Sequence, residues 1–531
     1  MTDCIVNLIT SGAYVDAELA AEFGRLPPAF LPAGHRRLYQ LSVEQLATLG
    51  GRTFISLPDD FDVPVWDAAC LAAAGVEVVR VPADLPLGSS IRLALEHIDV
   101  AGSLRILHGD TLFLSDLPDV FDAVSVSETS DGYTWGYSDA EGRFSAAPVE
   151  LASSDARVLT GFFTFSDVQI WRVALTAAGG DFIEALNLYT AARPLEGRDV
   201  QPWLDFGHLQ PFYRSRALVT TQRAFNSLEV TGRHVEKWSD IPRKIEAEIA
   251  WYVDLPPALR LYTPAYLGRT RRPDGACAYR TAFEHAPTLH ELFVFGRVSE
   301  RVWRRIFESC FEVLEAFSAY RPPGPTNSLK ALTMEKTADR LETWARGQSS
   351  DVLHREWLYN GRRQPSLSRI AEEAAGLIDQ EADDCAGLMH GDLNFGNIFY
   401  RFRSEQIVLV DPRGEVEPGR PTLFGDSRYD LAKLHHSLEG YDLILAGMHT
   451  LRQDGAYELS LEFPPDASRE SARAVAQEFA LSGRRIGDPE NTALAVHLFL
   501  SMLPLHSDRP DRQVAFLATA LRMFASLESA G

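Results

Sequence analysis

The segment that is most informative about fold and chemistry reads His390-Gly391-Asp392-Leu393-Asn394-Phe395-Gly396-Asn397-Ile398-Phe399, and the apolar run Ile407–Val410 with Asp411 after it follows shortly. Asp392 can accept the proton of an attacking hydroxyl. Asn397 and Asp411 offer hard oxygen ligands to Mg²⁺ on the phosphates of a nucleotide. Because positioning and charge neutralisation dominate that reaction, its residues need only be held on a short loop. The segment therefore predicts phosphoryl transfer, with ATP as co-substrate and Mg²⁺ as metal.

The alternative is a turn that joins a helix to a hairpin, because Asp, Asn and Gly favour turns on their own account. A turn does not require Asp411 at the end of a β-branched apolar run. The segment resembles the catalytic loop of the aminoglycoside phosphotransferase and choline kinase family. That family's pattern is His-Gly-Asp, four residues, Asn, and a later Asp that opens the metal loop, and every one of these positions matches here.

Length and composition limit the possible partners. The 531 residues allow two to four domains, and 46% hydrophobic with 23% charged residues is ordinary for a globular protein. The formal charge of −22 opposes binding to nucleic acid or to an anionic membrane surface. No run approaches the roughly 20 apolar residues of a membrane span. The cysteines show no metal-like pairing and the N-terminus lacks a charged leader, so we expect a cytoplasmic protein with free thiols; they are Cys4, Cys70, Cys277, Cys310 and Cys385.

Lysine is rare in this chain. Only five of the 51 basic residues are lysines, and none precedes Lys237. Arg does not replace the compact ammonium where a point charge must fit between phosphates, so each remaining lysine is a candidate functional residue. The lysines are Lys237, Lys244, Lys330, Lys336 and Lys433.

Residues 1–215 alternate between short apolar runs and amphipathic helical runs. This rhythm predicts an α/β domain with a doubly wound, mostly parallel sheet. Ligands of such sheets bind beyond the carboxyl ends of the strands, where Asp110 comes soon after a strand. The predicted strands are Cys4–Thr10, Thr53–Leu57, Val76–Val81 and Leu104–Leu107, and the predicted helices lie near Val43–Leu49, Val65–Ala74 and Ser89–Ile98.

Five short motifs in these residues resemble those of the sugar-nucleotide pyrophosphorylases, which are nucleotidyltransferases. The resemblance implies that Asp110 and Asp205 hold Mg²⁺ on a second NTP while a sugar phosphate attacks the α-phosphorus. It also implies that Gly88 opens a helix on the side of the base. The motifs are Leu31-Pro32-Ala33-Gly34 with Leu38, Gly88-Ser89-Ser90, Gly109-Asp110, Thr160-Gly161-Phe162 and Trp203-Leu204-Asp205-Phe206-Gly207.

The phosphate-binding residues depart from that family. Its Gly-rich loop is replaced by Ser11-Gly12, and Pro28 stands where the first signature Lys would fall. Arg36 stands at the second signature position and is the expected catalytic cation, with Gly12 and Arg25 expected to contact the nucleotide. Arg binds phosphate well, but it is not a conservative replacement for Lys. An alternative is a retained fold that only docks or senses a substrate.

Residues 216–531 predict a bilobal, protein-kinase-like domain. The hairpin Phe225–Trp238 carries Lys237, and a helix at Arg243–Val253 follows. In kinase folds the strand Lys contacts the α- and β-phosphates and a helix Glu holds it. We assign Glu248 rather than Glu246 as this partner, because Glu248 shares a helix face with apolar residues that should pack on the sheet.

The N-lobe should span about 216–290 and the helical C-lobe about 291–531. The strand Ala278–His285 should lead into the connection Ala286-Pro287-Thr288-Leu289, which would meet the adenine, and Pro322-Pro323-Gly324-Pro325 should form a loop. Asp430 matches the family's downstream Asp-Leu-Ala, which implies that it braces the catalytic loop. His435 and His436 cannot share a metal at this spacing, so we expect packing and solvent exposure. The predicted helices are Ser328–Arg346, Leu367–Asp379, Tyr429–Leu438, Glu470–Leu481, Glu490–Leu503 and Arg512–Leu527.

Two activities in one chain imply two successive steps. The first interpretation is a bifunctional enzyme that phosphorylates a sugar or small polyol and then joins the product to a nucleotide, giving an NDP-activated precursor for a surface polysaccharide or related glycan. The second is a small-molecule kinase with a non-catalytic sugar- or nucleotide-binding module at its N-terminus. The lysine-free first half favours the second interpretation, and the pair Asp110 and Asp205 favours the first. A non-catalytic scaffold conflicts with the complete kinase set. The identity of the alcohol and the base of the second NTP stay open.

Overall fold

The computed structural model describes residues 5–129, 131–133, 135–139, 141–146, 157–219, 227–324, 326, 328–380 and 382–530. Cys4, Pro325 and the start of the hairpin predicted at Phe225–Trp238 lie outside these residues. The chain divides into two compact units, unit 1 (Met1–Thr220) and unit 2 (Thr221–Gly531). In the described residues no helix is long and apolar enough to cross a membrane.

Unit 1 is built around a mixed sheet. The strands are β1 (Val6–Thr10), β2 (Pro32–Ala33), β3 (Arg36–Arg37), β4 (Arg52–Pro58), β5 (Val76–Val81), β6 (Leu104–His108), β7 (Thr111–Phe113), β8 (Ala123–Ser127), β9 (Tyr137–Ser138), β10 (Phe144–Ser145), β11 (Arg157–Phe165), β12 (Glu196–Asp199) and β13 (Trp203–Asp205). The helices are α1 (Ala17–Phe23), α2 (Leu38–Ala47), α3 (Val65–Ala73), α4 (Leu87–His97), α5 (Val168–Ala177), α6 (Phe182–Ala192) and α7 (Leu209–Val219).

The order β6-β1-β4-β5 forms a parallel core to this sheet. These strands are rich in buried Val, Ile and Leu, as strands covered on both faces usually are. On the other side of β6 the sheet continues antiparallel through β11 and then β8. Helices α4, α5 and α6 pack on the sheet through a core in which Trp171 stacks on Phe165 with ring centroids 4.1 Å apart. The helix expected near Val43–Leu49 begins earlier, at Leu38.

Unit 2 begins with a four-stranded antiparallel sheet and continues with a mainly helical region. The strands are β14 (Ser227–Val230), β15 (His234–Trp238), β16 (Tyr266–Arg271), β17 (Cys277–Ala282), β18 (Trp357–Tyr359), β19 (Arg362–Gln364), β20 (Ala386–Leu388), β21 (Ile398–Arg401), β22 (Gln406–Leu409), β23 (Phe424–Asp426), β24 (Thr450–Gly455), β25 (Glu458–Glu462), β26 (Ala480–Leu481) and β27 (Arg484–Arg485). The helices are α8 (Pro242–Asp254), α9 (Leu289–Phe295), α10 (Glu300–Ser318), α11 (Ser328–Lys330), α12 (Lys336–Ala345), α13 (Leu367–Gly376), α14 (Ser427–His436), α15 (Asp442–Leu445), α16 (Ala467–Ala476), α17 (Pro489–Met502) and α18 (Pro510–Ala530).

The first sheet has the order β14-β15-β17-β16, and helix α8 follows β15 in the chain. A second core, formed by α13, α14, α17, α18 and neighbouring segments, fills the helical region. Two sequence expectations differ here. The segment Ser328–Arg346 is interrupted by a π-helical turn at Ala331–Glu335, and the helix expected at Glu470–Leu481 ends at Ala476, with Ala480–Leu481 forming a strand.

Candidate active sites

Helix α14 holds the loop that carries Asp392 through hydrogen bonds to its main chain. The Asp430 carboxylate accepts hydrogen bonds from the backbone N–H groups of His390 and Gly391, both at 2.7 Å. Burial raises the pKa of Asp430 to about 7, and the two N–H donors act in the opposite direction. Asp430 thus shapes the loop through its main chain, in the bracing position that the sequence implies.

His390 holds the same loop to the strand pair β21 and β22. Its Nε2 lies 2.9 Å from the Val410 carbonyl oxygen, and its Nδ1 accepts from the backbone N–H of Asp392 at 3.3 Å. Burial lowers the pKa of His390 to about 4. A neutral imidazole that carries its proton on Nε2 satisfies both contacts, so both ring nitrogens of His390 hold the loop.

Asn397 and Asp411 lie beside Asp392. The Asn397 amide nitrogen donates to the Asp392 carbonyl oxygen at 2.8 Å and to Asp392 Oδ2 at 3.2 Å. These bonds orient the amide so that its oxygen faces away from them. Asp411 follows β22 in the left-handed region, with φ of 61°, a conformation that Asp tolerates better than most residues.

Lys237 joins the N-terminal sheet of unit 2 to these acids. Its side chain is 5% exposed on β15, and its Nζ lies 2.7 Å from Glu248 Oε2 on α8 and also contacts Asp411 Oδ1. The Tyr279 hydroxyl donates to the same Glu248 oxygen at 2.7 Å. Glu246 is exposed and pairs with Arg269 at 3.2 Å. The ion pair expected between Lys237 and Glu248 is therefore present.

Lys433, a candidate functional residue for which the sequence predicts no particular contact, also lies at this site. Its Nζ lies 2.9 Å from Asp392 Oδ1. Burial opposes its charge, but the Asp392 carboxylate outweighs this, so that the pKa of Lys433 is raised. Two features of the sequence point to Lys433: lysine is rare in this chain, and this lysine lies one helical turn after Asp430.

The neighbouring histidines are buried, with 4% of His435 and none of His436 exposed. The expectation of packing fits His436, whose ring centroid lies 4.1 Å from that of Phe499. The expectation of solvent exposure is wrong for both, because α14 lies inside the helical core.

The second candidate site, in unit 1, brings Asp110 and Asp205 together. The backbone N–H of Phe206 donates to the Asp110 carbonyl oxygen at 2.8 Å, and a Cβ on Gly207 would lie 2.5 Å from Asp110 Oδ2. Asp205 accepts from the Gly207 N–H at 2.7 Å and lies 2.8 Å from His208 Nδ1. Burial, and to a smaller extent the charge of Asp110, raise the pKa of Asp205.

The other residues expected to bind the nucleotide in unit 1 have local roles. A Cβ on Gly12 would lie 2.5 Å from Val81 Cγ2, and one on Gly88 would lie 2.3 Å from the Gly180 carbonyl oxygen, so both glycines permit close packing. Arg25 pairs with Asp60 at 2.8 Å, and Arg36 pairs with Glu44 at 2.6 Å. Among the described residues, neither guanidinium bonds to Asp110 or Asp205.

Mg²⁺ is the metal that the sequence predicts for both sites. In the described residues no group of three or more His, Cys, Asp or Glu side chains could hold a metal ion. The donor set that fits is smaller and consists of oxygen atoms, the type that Mg²⁺ prefers when substrate phosphates and water complete its shell. In unit 2 it comprises the Asn397 amide oxygen and the Asp411 carboxylate, and in unit 1 it comprises the two adjacent Asp side chains.

Comparison with solved structures finds similarity to two groups of proteins. The nucleoside-diphosphate-sugar pyrophosphorylase of Vibrio cholerae is 15% identical over 40% of this chain and 99% of that chain, with a TM-score of 0.34. A putative glucose-1-phosphate thymidylyltransferase of Bacillus anthracis is 14% identical over 41% and 97%, with a TM-score of 0.34. The aminoglycoside phosphotransferase APH(4)-Ia, in a ternary complex with AMP-PNP and hygromycin B, is 14% identical over 58% and 92%, with a TM-score of 0.37.

No family model matches the chain, and no curated protein matches it. The two groups of solved structures correspond to the two resemblances that the sequence motifs indicate.

Proposed function

We propose that unit 2 is an ATP-dependent kinase of a small alcohol, such as a sugar or polyol. The observation that supports this proposal is the meeting of Asp392, Asn397, Asp411, Lys237 and Glu248, which come from the catalytic loop, the end of β22, β15 and α8. Phosphoryl transfer needs an acid that can accept a hydroxyl proton, two side chains with oxygen donors for a metal, and an ammonium for the phosphates. Asp392, the pair Asn397 and Asp411, and Lys237 supply these groups in that order.

In the proposed reaction the hydroxyl proton passes to the Asp392 carboxylate. The alcohol oxygen forms a bond to the γ-phosphorus as the bond from that phosphorus to the oxygen of ADP breaks. Lys237, held by Glu248, contacts the α- and β-phosphates. Asn397 and Asp411 would hold Mg²⁺, which neutralises phosphate charge when bound.

The test is ATP-dependent phosphorylation of a broad panel of sugars and polyols, followed by mass spectrometry. Asp392→Asn should remove this activity and leave AMP-PNP binding within about twofold, because the metal ligands and Lys237 are retained. Asp508→Asn, at an exposed carboxylate, is the matched control. Normal turnover by Asp392→Asn would disprove the assignment of the base.

For unit 1 we propose a nucleotidyltransferase, which the adjacency of Asp110 and Asp205 favours. The phosphate oxygen of R–phosphate would bond to the α-phosphorus of an NTP, and pyrophosphate would leave. Together the two units would convert an alcohol into an NDP-activated precursor for a surface polysaccharide or related glycan. The test is release of pyrophosphate from an NTP and a panel of sugar and polyol phosphates.

The other candidate for unit 1 is a non-catalytic sugar- or nucleotide-binding module. The observation that favours it is the pairing of Arg25 and Arg36 with Asp60 and Glu44. Nucleotide or sugar binding without pyrophosphate release would support this candidate.

A further inference from the structure

The cavity beside Asp392 is lined by six cationic and seven acidic side chains, and we group four of the cations for their shared environment. It has a volume of about 700 Å³, which suits a small organic molecule. Lys244, Lys336, Arg340 and Arg413 all line it, and we call these four residues the basic cluster. Two of the chain's five lysines thus belong to the cluster, and a third, Lys433, lines the same cavity and pairs with Asp392.

Three members of the basic cluster lack an acidic partner. Within the described residues, Lys336, Arg340 and Arg413 form no ion pair. The Lys336 Nζ lies 2.9 Å from the Tyr429 hydroxyl, Arg340 Nη1 donates to the Ser501 carbonyl oxygen at 2.8 Å, and Arg413 Nε donates to the Glu415 carbonyl oxygen at 3.1 Å. These hydrogen-bond partners of the three cations are therefore neutral oxygen atoms, one hydroxyl and two backbone carbonyls.

The acids that line the same cavity form no ion pair with Lys336, Arg340 or Arg413 among the described residues, and the charge of Asp392 only partly offsets the effects that lower the pKa of Lys336. Asp392, Asp411 and Glu248 are engaged by Lys433 and Lys237, and Asp339 is exposed to solvent. The remaining acids pair with cations outside the cluster: Glu335 with Lys330, Glu415 with Arg243 and Glu417 with Arg420.

The electrostatic consequence is visible in the lysines themselves. Burial, then Arg413, Arg340 and Lys433, hold the pKa of Lys336 well below its ordinary value. Burial, then Arg413, Arg243 and Arg340, lower the pKa of Lys244. Mutual repulsion of partly desolvated cations is unfavourable, and a bound anion relieves it.

Lys336 and Arg340, two members of the cluster, lie on α12 in the helical region, on the same side of Asp392 as Lys433. The ammonium groups of Lys336 and Lys433 lie 5.5 and 6.0 Å from the centroid of the same ring, that of Tyr429 on α14. Lys336 and Arg340 are one turn apart on α12, which places them on one helix face. The cation assigned to the ATP phosphates, Lys237, instead comes from β15.

We propose that the alcohol phosphorylated by unit 2 carries a negatively charged group, a phosphate or a carboxylate, that binds to Lys336 and Arg340. The inference rests on the proposed kinase function and specifies its substrate class. An alcohol that gives its proton to Asp392 lies next to Lys433, so an anionic group elsewhere on a sugar-sized molecule reaches the basic cluster. Sugar phosphates and sugar acids have this chemistry, whereas an unmodified sugar leaves the cations unsatisfied.

The first experiment measures binding with the nucleotide site filled. Protein saturated with AMP-PNP and Mg²⁺ is titrated calorimetrically with inorganic phosphate and, separately, with acetate. At least one anion should bind to the wild type, and Lys336→Met should raise its Kd by about tenfold or more. Lys330→Met, at an exposed lysine of the neighbouring helix, should leave the Kd unchanged. Phosphate binding alone points to a phosphomonoester, and acetate binding points to a carboxylate.

The second experiment compares acceptors that differ only in charge: glucose, glucose 6-phosphate and glucuronate, and glycerol, glycerol 3-phosphate and glycerate. Anionic members should have a kcat/KM at least about tenfold above their neutral parents. Lys336→Met and Arg340→Met should remove this preference while the KM for ATP changes less than about twofold, and Lys336→Arg should retain much of it. Thermal unfolding verifies that each variant is folded.

The two experiments distinguish failure of the anionic-substrate inference from failure of the proposed kinase function. Preference for neutral acceptors, or loss of ATP affinity in place of acceptor affinity in Lys336→Met, would overturn the inference and leave the kinase standing. Failure of both small anions to bind would overturn it as well. Failure of AMP-PNP to bind would instead count against the kinase assignment.

Discussion

The loop that carries Asp392 in unit 2 and the acidic pair of unit 1 are both centred on carboxylates, but the cations around them differ. Near Asp392 two buried lysines contact acids, Lys237 with Glu248 and Asp411, and Lys433 with Asp392. In unit 1 the arginines expected at the nucleotide pair with exposed surface acids. Burying an ammonium group costs desolvation energy that its acidic partners must offset, whereas exposed arginine pairs cost and contribute little.

The largest expected effect is the loss of enzymatic activity when the central acid of each site is replaced. Asp392→Asn should lower phosphorylation by about 10²–10⁴-fold, the usual loss on removal of a general base, and leave pyrophosphate release unchanged. Asp110→Ala should do the reverse. Parallel assays of both activities in both variants check this prediction. Loss of both activities in either variant would mean that the two sites are not independent.

Next in size is the effect of replacing Lys237 with arginine. The guanidinium is broader than an ammonium and does not fit between Glu248, Asp411 and the phosphates, so Lys237→Arg should lower kcat/KM for ATP by about tenfold or more. Steady-state kinetics with varied ATP measures the change. Lys330→Arg, at an exposed position, is the control and should match the wild type. Full activity of Lys237→Arg would contradict the proposed pairing.

A smaller effect, on stability, is expected at Asp430. Asp430→Ala leaves the N–H groups of His390 and Gly391 buried without their acceptor, which should cost about 2 kcal/mol or more. Urea unfolding followed by fluorescence measures this, with Asp508→Ala as the exposed control. An unchanged unfolding midpoint would show that the loop holds its shape without α14.

The smallest effect is expected at Arg25 and sharpens the interpretation of unit 1. Because the pair with Asp60 is exposed, Arg25→Gln should change the free energy of unfolding by less than about 1 kcal/mol. If Arg25 turns to a triphosphate, the same substitution should weaken NTP binding to unit 1 by a few-fold, which fluorescence with a labelled nucleotide measures. Equal affinity in wild type and Arg25→Gln would favour the binding-module hypothesis.

Local sequence signals predict some of the contacts around Asp392 that the structure contains, such as the pair of Lys237 with Glu248. Asp392 and Asn397 lie in one loop, so their spacing in the sequence is enough to relate them. The helix face on which Glu248 lies follows from the apolar residues that share that face. Lys433 was not assigned because its contact with Asp392 joins residues 41 positions apart, and no local pattern reports such a contact. The basic cluster could not be predicted from the sequence for the same reason, because its members come from α8, α12 and the segment after β22.

The regular part of the fold was likewise easier to predict than its short elements. The apolar runs at Val76–Val81 and Leu104–Leu107 are long enough to show their strand character. The sheet β19-β18-β25-β24 was not predicted, because its pieces are short and lie between helical segments. Arg25 and Arg36 show the other limit: sequence locates a cation near a loop but does not reveal which nearby acid it contacts.

Helix α14 supplies both the carboxylate that holds the main chain of the catalytic loop and the ammonium that faces its acid, one turn apart. The loop, Asp392 and its counter-charge consequently behave as one mechanical body. A displacement of the β14–β17 sheet would move Lys237 relative to that body, yet it would leave the distance between Asp392 and Lys433 unaltered.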